Sequence, residues 1–211
     1  MKKILIFGLP RSGTTVLQKR LGRSLRIQGY NEPFTFLEYQ QQIGDPYQWV
    51  SKLSCAAIKV LAHNLDHIDL IKLINAGKFD SIIVTKRNNL TDCCVSLYYA
   101  QEVAKNYHYS VKPEVIMPFT VTIDFVNNFF LLFYAQYLNV IKQLDDHAIP
   151  YTVFDYDQYQ LGKSQIIHGI EFCLDKESSY KIDTISTNID YSRMCVNYNE
   201  IDSIIKNANH Y

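Results

Sequence analysis

Apolar residues recur along the chain in two rhythms. Short continuous runs, "KILIF" (3–7), "AAIKVL" (56–61), "SIIVTK" (81–86) and "YTVFDY" (151–156), are rich in β-branched or aromatic side chains and read as strands. Between them lie stretches with apolar positions at helical spacing. These are "TTVLQKRLGRSL" behind residue 13, a segment from about Thr91 to Lys105, and "IDFVNNFFLLFYAQYLNVIKQLDDH" (123–147), which predicts one long helix ahead of Pro150. Strands alternating with helices predict an α/β fold around a parallel sheet. Residues 106–122, "NYHYSVKPEVIMPFTVT", contain prolines and no clear period, and a connection of that length is often a lid or binding loop.

Composition narrows the classes of function. A chain of 211 residues is long enough for a sizeable core and reads as a single domain, 1–211. Its 21 basic and 21 acidic side chains cancel, which removes any general attraction to nucleic acid or to an anionic membrane; an anion site must be local. The longest apolar run, "FFLLFYA" (129–135), is flanked by Asn127, Asn128 and Gln136 and predicts a buried helix, with no membrane span. Ile4–Phe7 is too short for the apolar region of a signal peptide. Five cysteines, an odd number with Cys93 and Cys94 adjacent, argue against a disulfide framework, and the expected location is cytoplasmic.

The most informative stretch is "FGLPRSGTT" (7–15), between the first strand and the first helix. Gly8 and Gly13 bracket four residues, as in the phosphate loop G-x-x-x-x-G-K-[ST]. Such a loop turns backbone N–H groups inward at the positive end of a helix dipole, and glycine lets the backbone approach the anion closely. Thr14 stands where a nucleoside-triphosphate enzyme carries its lysine, Thr15 supplies the hydroxyl, and Arg11 restores a positive charge from inside the loop. A tight turn with no ligand is the plain alternative.

A second segment, "TKRNNLTDCCVSLYYAQ" (85–101), follows another strand and opens another helix. Arg87 at the strand end and Ser96 on the helix can grip a second phosphate by charge-assisted hydrogen bonds. Together the two segments resemble the cofactor-binding motifs of sulfotransferases that use 3′-phosphoadenosine 5′-phosphosulfate (PAPS). The closer likeness is to bacterial and carbohydrate-type members, because the "RKG" segment of cytosolic aryl and steroid members is not visible. Softer likenesses extend to "YNEPF" (30–34), "IKVLAH" (58–63), "IPYTVFDYDQYQL" (149–161) and "DYSRMCVNYNEI" (190–201).

This resemblance implies a three-layer sandwich with a central parallel sheet, the P-loop NTPase-like sulfotransferase fold. It also implies PAPS as donor, 3′-phosphoadenosine 5′-phosphate (PAP) as product, and no metal. Pro10, Arg11, Ser12, Gly13, Thr14 and Thr15 would hold the 5′-phosphosulfate; Arg87 and Ser96 would hold the 3′-phosphate, with Lys86 a substitute for Arg87. Lys59 would reach the sulfuryl or bridging oxygen. Glu32 is the first candidate for general base toward a hydroxyl or amine of an acceptor, a small molecule or carbohydrate. Pro33 is expected to hold Glu32 in extended geometry.

His63 is the rival base, since imidazole exchanges protons near neutral pH. Helix capping or an ion pair for Glu32, and an ordinary strand-end position for His63, remain the plain alternatives. His63 and His67 alone do not complete a metal site. Tyr107, Tyr109 and Phe119 are candidates to line the acceptor site. Two other functions compete: a P-loop kinase, for which Asp155 is the nearest approach to a magnesium-binding carboxylate, and a nucleotide-binding protein without turnover.

Overall fold

In a computed structural model of the chain, residues 2–35, 43–66, 68–105, 117–172 and 190–208 are described. Tyr107, Tyr109 and His67 lie outside them. The strands are β1 (Lys3–Gly8), β2 (Gln28–Asn31), β3 (Ala56–Leu61), β4 (Ser81–Lys86) and β5 (Thr152–Asp155), forming a five-stranded sheet in the order β2-β3-β1-β4-β5. All its pairings are parallel. β1 lies at the centre, with Ile6 opposite Lys59 on one side and Ile83 on the other. Burial on both faces explains its continuous apolar run.

Helices cover both faces. Leu5, Phe7, Ile58, Val60 and Val84 point into a core completed by α2 (Pro46–Lys52), α3 (Leu70–Gly77), α4 (Leu90–Tyr98), α5 (Ile123–Phe129) and α6 (Ala135–Asp146). Ile4, Ile6, Ala57, Ile83 and Phe154 meet Leu17 and Leu21 of α1 (Thr14–Leu25) on the opposite face. Tyr159 of α7 (Tyr156–Gln160) and the hairpin β6 (Gln165–Ile167) and β7 (Ile170–Phe172) complete that second core. Two more helices, α8 (Tyr191–Met194) and α9 (Tyr198–Ala208), follow near the end. The result is an α/β fold whose parallel sheet is flanked by helices, consistent with a P-loop-like fold.

The expected long helix is present from Ile123 to Asp146, with a π turn at Phe130–Tyr134 between α5 and α6. However, "FFLLFYA" is not the buried stretch expected: of it only Phe129 is buried, and Leu131 and Leu132 are exposed on the outer side of the helix. The segment after β4 likewise begins as α4 and widens into a π turn at Tyr99–Val103. Two buried polar side chains fix the layers. Lys3 Nζ donates to the carbonyls of Val50 (3.0 Å) and Gly77 (2.7 Å), tying β1 to the ends of α2 and α3. Gln18 Nε2 donates to the carbonyls of Tyr30 (2.6 Å) and Ala57 (3.1 Å), seating α1 against β2 and β3.

No helix among the described residues is long and apolar enough to cross a membrane.

Candidate functional site

In a parallel sheet the crevice for ligands opens beyond the carboxyl ends of the strands, where connections leave toward opposite faces. Here β1 is followed by the glycine loop, β2 by Glu32, β3 by His63, β4 by Arg87 and β5 by Tyr156 and Asp157. Most of the residues singled out in the sequence therefore converge on one edge.

The loop is shaped from within. Ser12 is fully buried; its Oγ donates to the Leu9 carbonyl (2.7 Å) and shares a hydrogen bond with Thr85 Oγ1 (2.6 Å). That hydroxyl thus holds the loop to β4. The Pro10 carbonyl accepts from Cys93 Sγ at 2.9 Å, a second tie to α4. A Cβ on Gly8 would stand 1.9 Å from Thr85 Oγ1, so the close approach of loop and β4 requires glycine there. Arg11 and Gly13 both adopt left-handed backbone, at φ 65° and 83°, the kind of local twist that turns successive amides toward one concavity.

Helix α1 then starts at Thr14 with no side-chain cap and no acidic residue in its first turn. Side chains of Asp45, Asp69, Asn89, Thr122 and Asp155 cap α2, α3, α4, α5 and α7. The amides left at the start of α1 and the positive end of its dipole suit an anion. Thr14 is buried, with its methyl group toward Gly8, while Thr15 is half-buried with its hydroxyl turned to the crevice side.

Lys59, Glu32, His63 and Thr15 form one cluster. Lys59, 2% exposed, places Nζ 2.6 Å from Glu32 Oε1 and donates to Thr15 Oγ1 at 2.9 Å. Burial lowers the Lys59 pKa; the adjacent Glu32 carboxylate opposes that shift, and Arg11 and Lys19 add to it. Glu32 Oε2 faces His63 Nε2 at 3.7 Å and accepts from Thr35 Oγ1 at 3.4 Å. The His63 ring packs edge-on against Phe133 of the π turn, centroids 5.5 Å apart. This brings both candidate bases together.

The expected extended conformation of Glu32 is corrected: its φ is 50°, in the left-handed region. The chain reverses there, with Thr35 N donating to the Glu32 carbonyl at 3.1 Å, and the ion pair with Lys59 holds the side chain in place. The turn hydrogen bond and the ion pair together outweigh the local preference of a residue before proline.

Arg11, Arg87 and Ser96 form a second cluster on the other side of the loop. Arg11 Nε donates to Ser96 Oγ (2.9 Å), which also accepts from Tyr191 OH (3.0 Å). Arg87 Nη1 donates to the Arg11 carbonyl (2.8 Å), and its guanidinium stacks over the Tyr156 ring, 5.4 Å from the centroid. The same ring closes against Gly13, where a Cβ would lie 2.2 Å from Tyr156 Cδ2. Lys86, the substitute for Arg87, is exposed at the end of β4.

Two expectations lead elsewhere. Phe119 is a core side chain, packed on Tyr98 and Tyr99, so it does not present an open wall to an acceptor. Asp155 caps α7 through Gln158 N (3.0 Å) and accepts from Asn88 Nδ2 (3.3 Å). Among the described residues, no three or more His, Cys, Asp or Glu gather as a metal site.

Tyr156, Asp157, Asp92 and Tyr191 also belong to the site, although the sequence pattern does not point to them. Position is the signal available: Tyr156 and Asp157 directly follow β5, and Tyr191 lies in "DYSRM". No protein-family model matches the chain, and no curated protein matches it.

Proposed function

We propose that the chain is a PAPS-dependent sulfotransferase, passing a sulfuryl group to a hydroxyl or amine of a small-molecule or carbohydrate acceptor. The carrying observation is the Glu32–Lys59–Thr15 contact beside a phosphate-type loop that has no lysine of its own. A neighbouring strand thereby supplies the missing charge, and a carboxylate stands next to it. The uncapped first turn of α1 supports an anionic donor group at the loop.

In this reading the acceptor oxygen or nitrogen attacks sulfur as its proton passes to Glu32, with His63 next in line. The bond from sulfur to the bridging oxygen breaks, and its electron pair leaves on the 5′-phosphate, giving PAP. Lys59, Arg11, the Thr15 hydroxyl and the loop amides stabilise charge on the transferring and leaving oxygens. A helix that begins at the loop and a lysine fixed by two partners require little rearrangement to do so.

The test is calorimetric binding of PAP and, separately, of Mg·ATP to wild type and to Arg87→Ala. The expected result is PAP binding without magnesium, weakened about threefold or more in the variant, and weak, metal-independent ATP binding. Magnesium-dependent ATP binding with no PAP binding overturns the proposal in favour of a kinase.

A further inference from the structure

Arg87 is enclosed on four sides. Besides the Arg11 carbonyl and the Tyr156 ring, Nη2 lies 3.6 Å from Asp92 Oδ2 and Nε lies 3.7 Å from Asp157 Oδ1. Only 11% of the side chain is exposed. Asp157 uses its other oxygen, Oδ2, to accept from the backbone amides of Asn88 (2.5 Å) and Asn89 (3.0 Å), at the start of α4. One carboxylate thus holds a guanidinium on one side and two amides at a helix N-terminus on the other. That is the donor set a phosphate would take.

We propose that Asp157 is a specificity-determining residue: an internal anion at the Arg87 site that weakens selection for a 3′-phosphorylated nucleotide. The inference rests on the donor reading, which gives Arg87 and Ser96 to the 3′-phosphate. Asp92 is tied to the frame, accepting from Tyr198 OH (2.7 Å) and Asn89 Nδ2 (2.9 Å). Asp157 lies on the short helix Tyr156–Gln160. Asp92 and Asp157 flank the Arg87 guanidinium, while Arg11 is engaged at Ser96, so a 3′-phosphate arriving there meets like charge as well as Arg87. The loop, with no acidic residue in the first turn of α1, keeps its attraction for the 5′ group. Affinity should therefore come mainly from the 5′ end.

Asp157→Asn removes the charge and keeps an oxygen for the two amides. The experiment is calorimetric titration of wild type and this variant with PAP and with adenosine 5′-phosphate, which lacks the 3′ group, at one fixed salt concentration. In wild type PAP should bind less than about tenfold more tightly than adenosine 5′-phosphate. In the variant that ratio should open by about tenfold, with adenosine 5′-phosphate affinity held within about twofold. An unchanged ratio in a folded variant that binds both nucleotides overturns the role of Asp157 and leaves the donor reading standing. Binding of neither nucleotide to either folded protein overturns the donor reading, and this inference with it. Should the variant fail to fold, the wild-type ratio decides: below about tenfold supports the internal anion, above it overturns it.

Discussion

Lys59 Nζ bridges Glu32 Oε1 at 2.6 Å and Thr15 Oγ1 at 2.9 Å, so one ammonium joins β3, the turn after β2 and the first turn of α1. With Lys59 2% and Glu32 14% exposed, each charge depends on the other for the solvation that burial removes.

Breaking this pair from one side should cost more than removing it whole. Glu32→Gln leaves a buried ammonium without its counterion, and about 3 kcal/mol of stability should be lost. Lys59→Met should lose a comparable amount, and Lys59→Met/Glu32→Gln less than the sum of the two. Denaturant unfolding of the four proteins measures the coupling; strict additivity would show that the contact carries no energy. If Glu32 is also the base, Glu32→Gln should slow sulfuryl transfer about a hundredfold or more, measured as acceptor-dependent PAP release.

Gly13 should tolerate no side chain. Its φ of 83° is strained for any L-residue, and a Cβ would lie 2.2 Å from Tyr156 Cδ2. Gly13→Ala should destabilise by about 1–3 kcal/mol and weaken PAP binding by pushing Tyr156 off the loop. Gly13→Ala/Tyr156→Ala relieves the collision and leaves the backbone strain, so it should restore only part of the lost binding. Full restoration would place the whole defect in the collision.

Much of the architecture could be read from periodicity, and the limits of that reading are physical. β1, β3 and β4 are buried strands and announced themselves as apolar runs. β2, "QGYN", is mostly exposed and short; its place depends on pairing with β3 and on Gln18. The loop could be found because its glycines serve local geometry. The enclosure of Arg87 could not, because Asp157 is 70 positions away along the chain and meets it only once β4 and β5 pair (157 − 87). The left-handed backbone of Glu32 is hidden from the sequence for the same reason: its partner, Lys59, lies on another strand.

Lys3 should leave a pH signature. Burial lowers its pKa below 10.5, with Asp80 opposing the shift. Between the folded value and 10.5 the unfolded chain binds this proton more strongly, so this group's contribution makes stability rise with pH across that window. Lys3→Met has no ammonium to titrate and leaves the Val50 and Gly77 carbonyls without their donor. The stability difference in favour of wild type should therefore widen as pH rises toward 10.5, as followed by urea unfolding at stepped pH. A difference that stays constant would mean that Asp80 offsets the desolvation of the ammonium in full.

Buried thiols should act with the opposite sign. Burial raises Cys93 from 9.0 to about 11, while Cys94 is also raised by burial. Above pH 9.0 the unfolded chain releases these protons and the folded chain keeps them, so stability falls as pH rises. Cys93 alone should remove about 2–3 kcal/mol between its unfolded and folded values. Cys93→Ala also loses the contact with the Pro10 carbonyl and is therefore less stable at neutral pH. Its decline on going alkaline should nevertheless be shallower than that of wild type. Tyrosines titrate in both proteins and cancel in the comparison apart from Tyr137, which burial raises first and the Cys93 charge raises further. Parallel declines would show that Cys93 already reaches water, and native-state thiol labelling would then modify it as readily as half-buried Cys55.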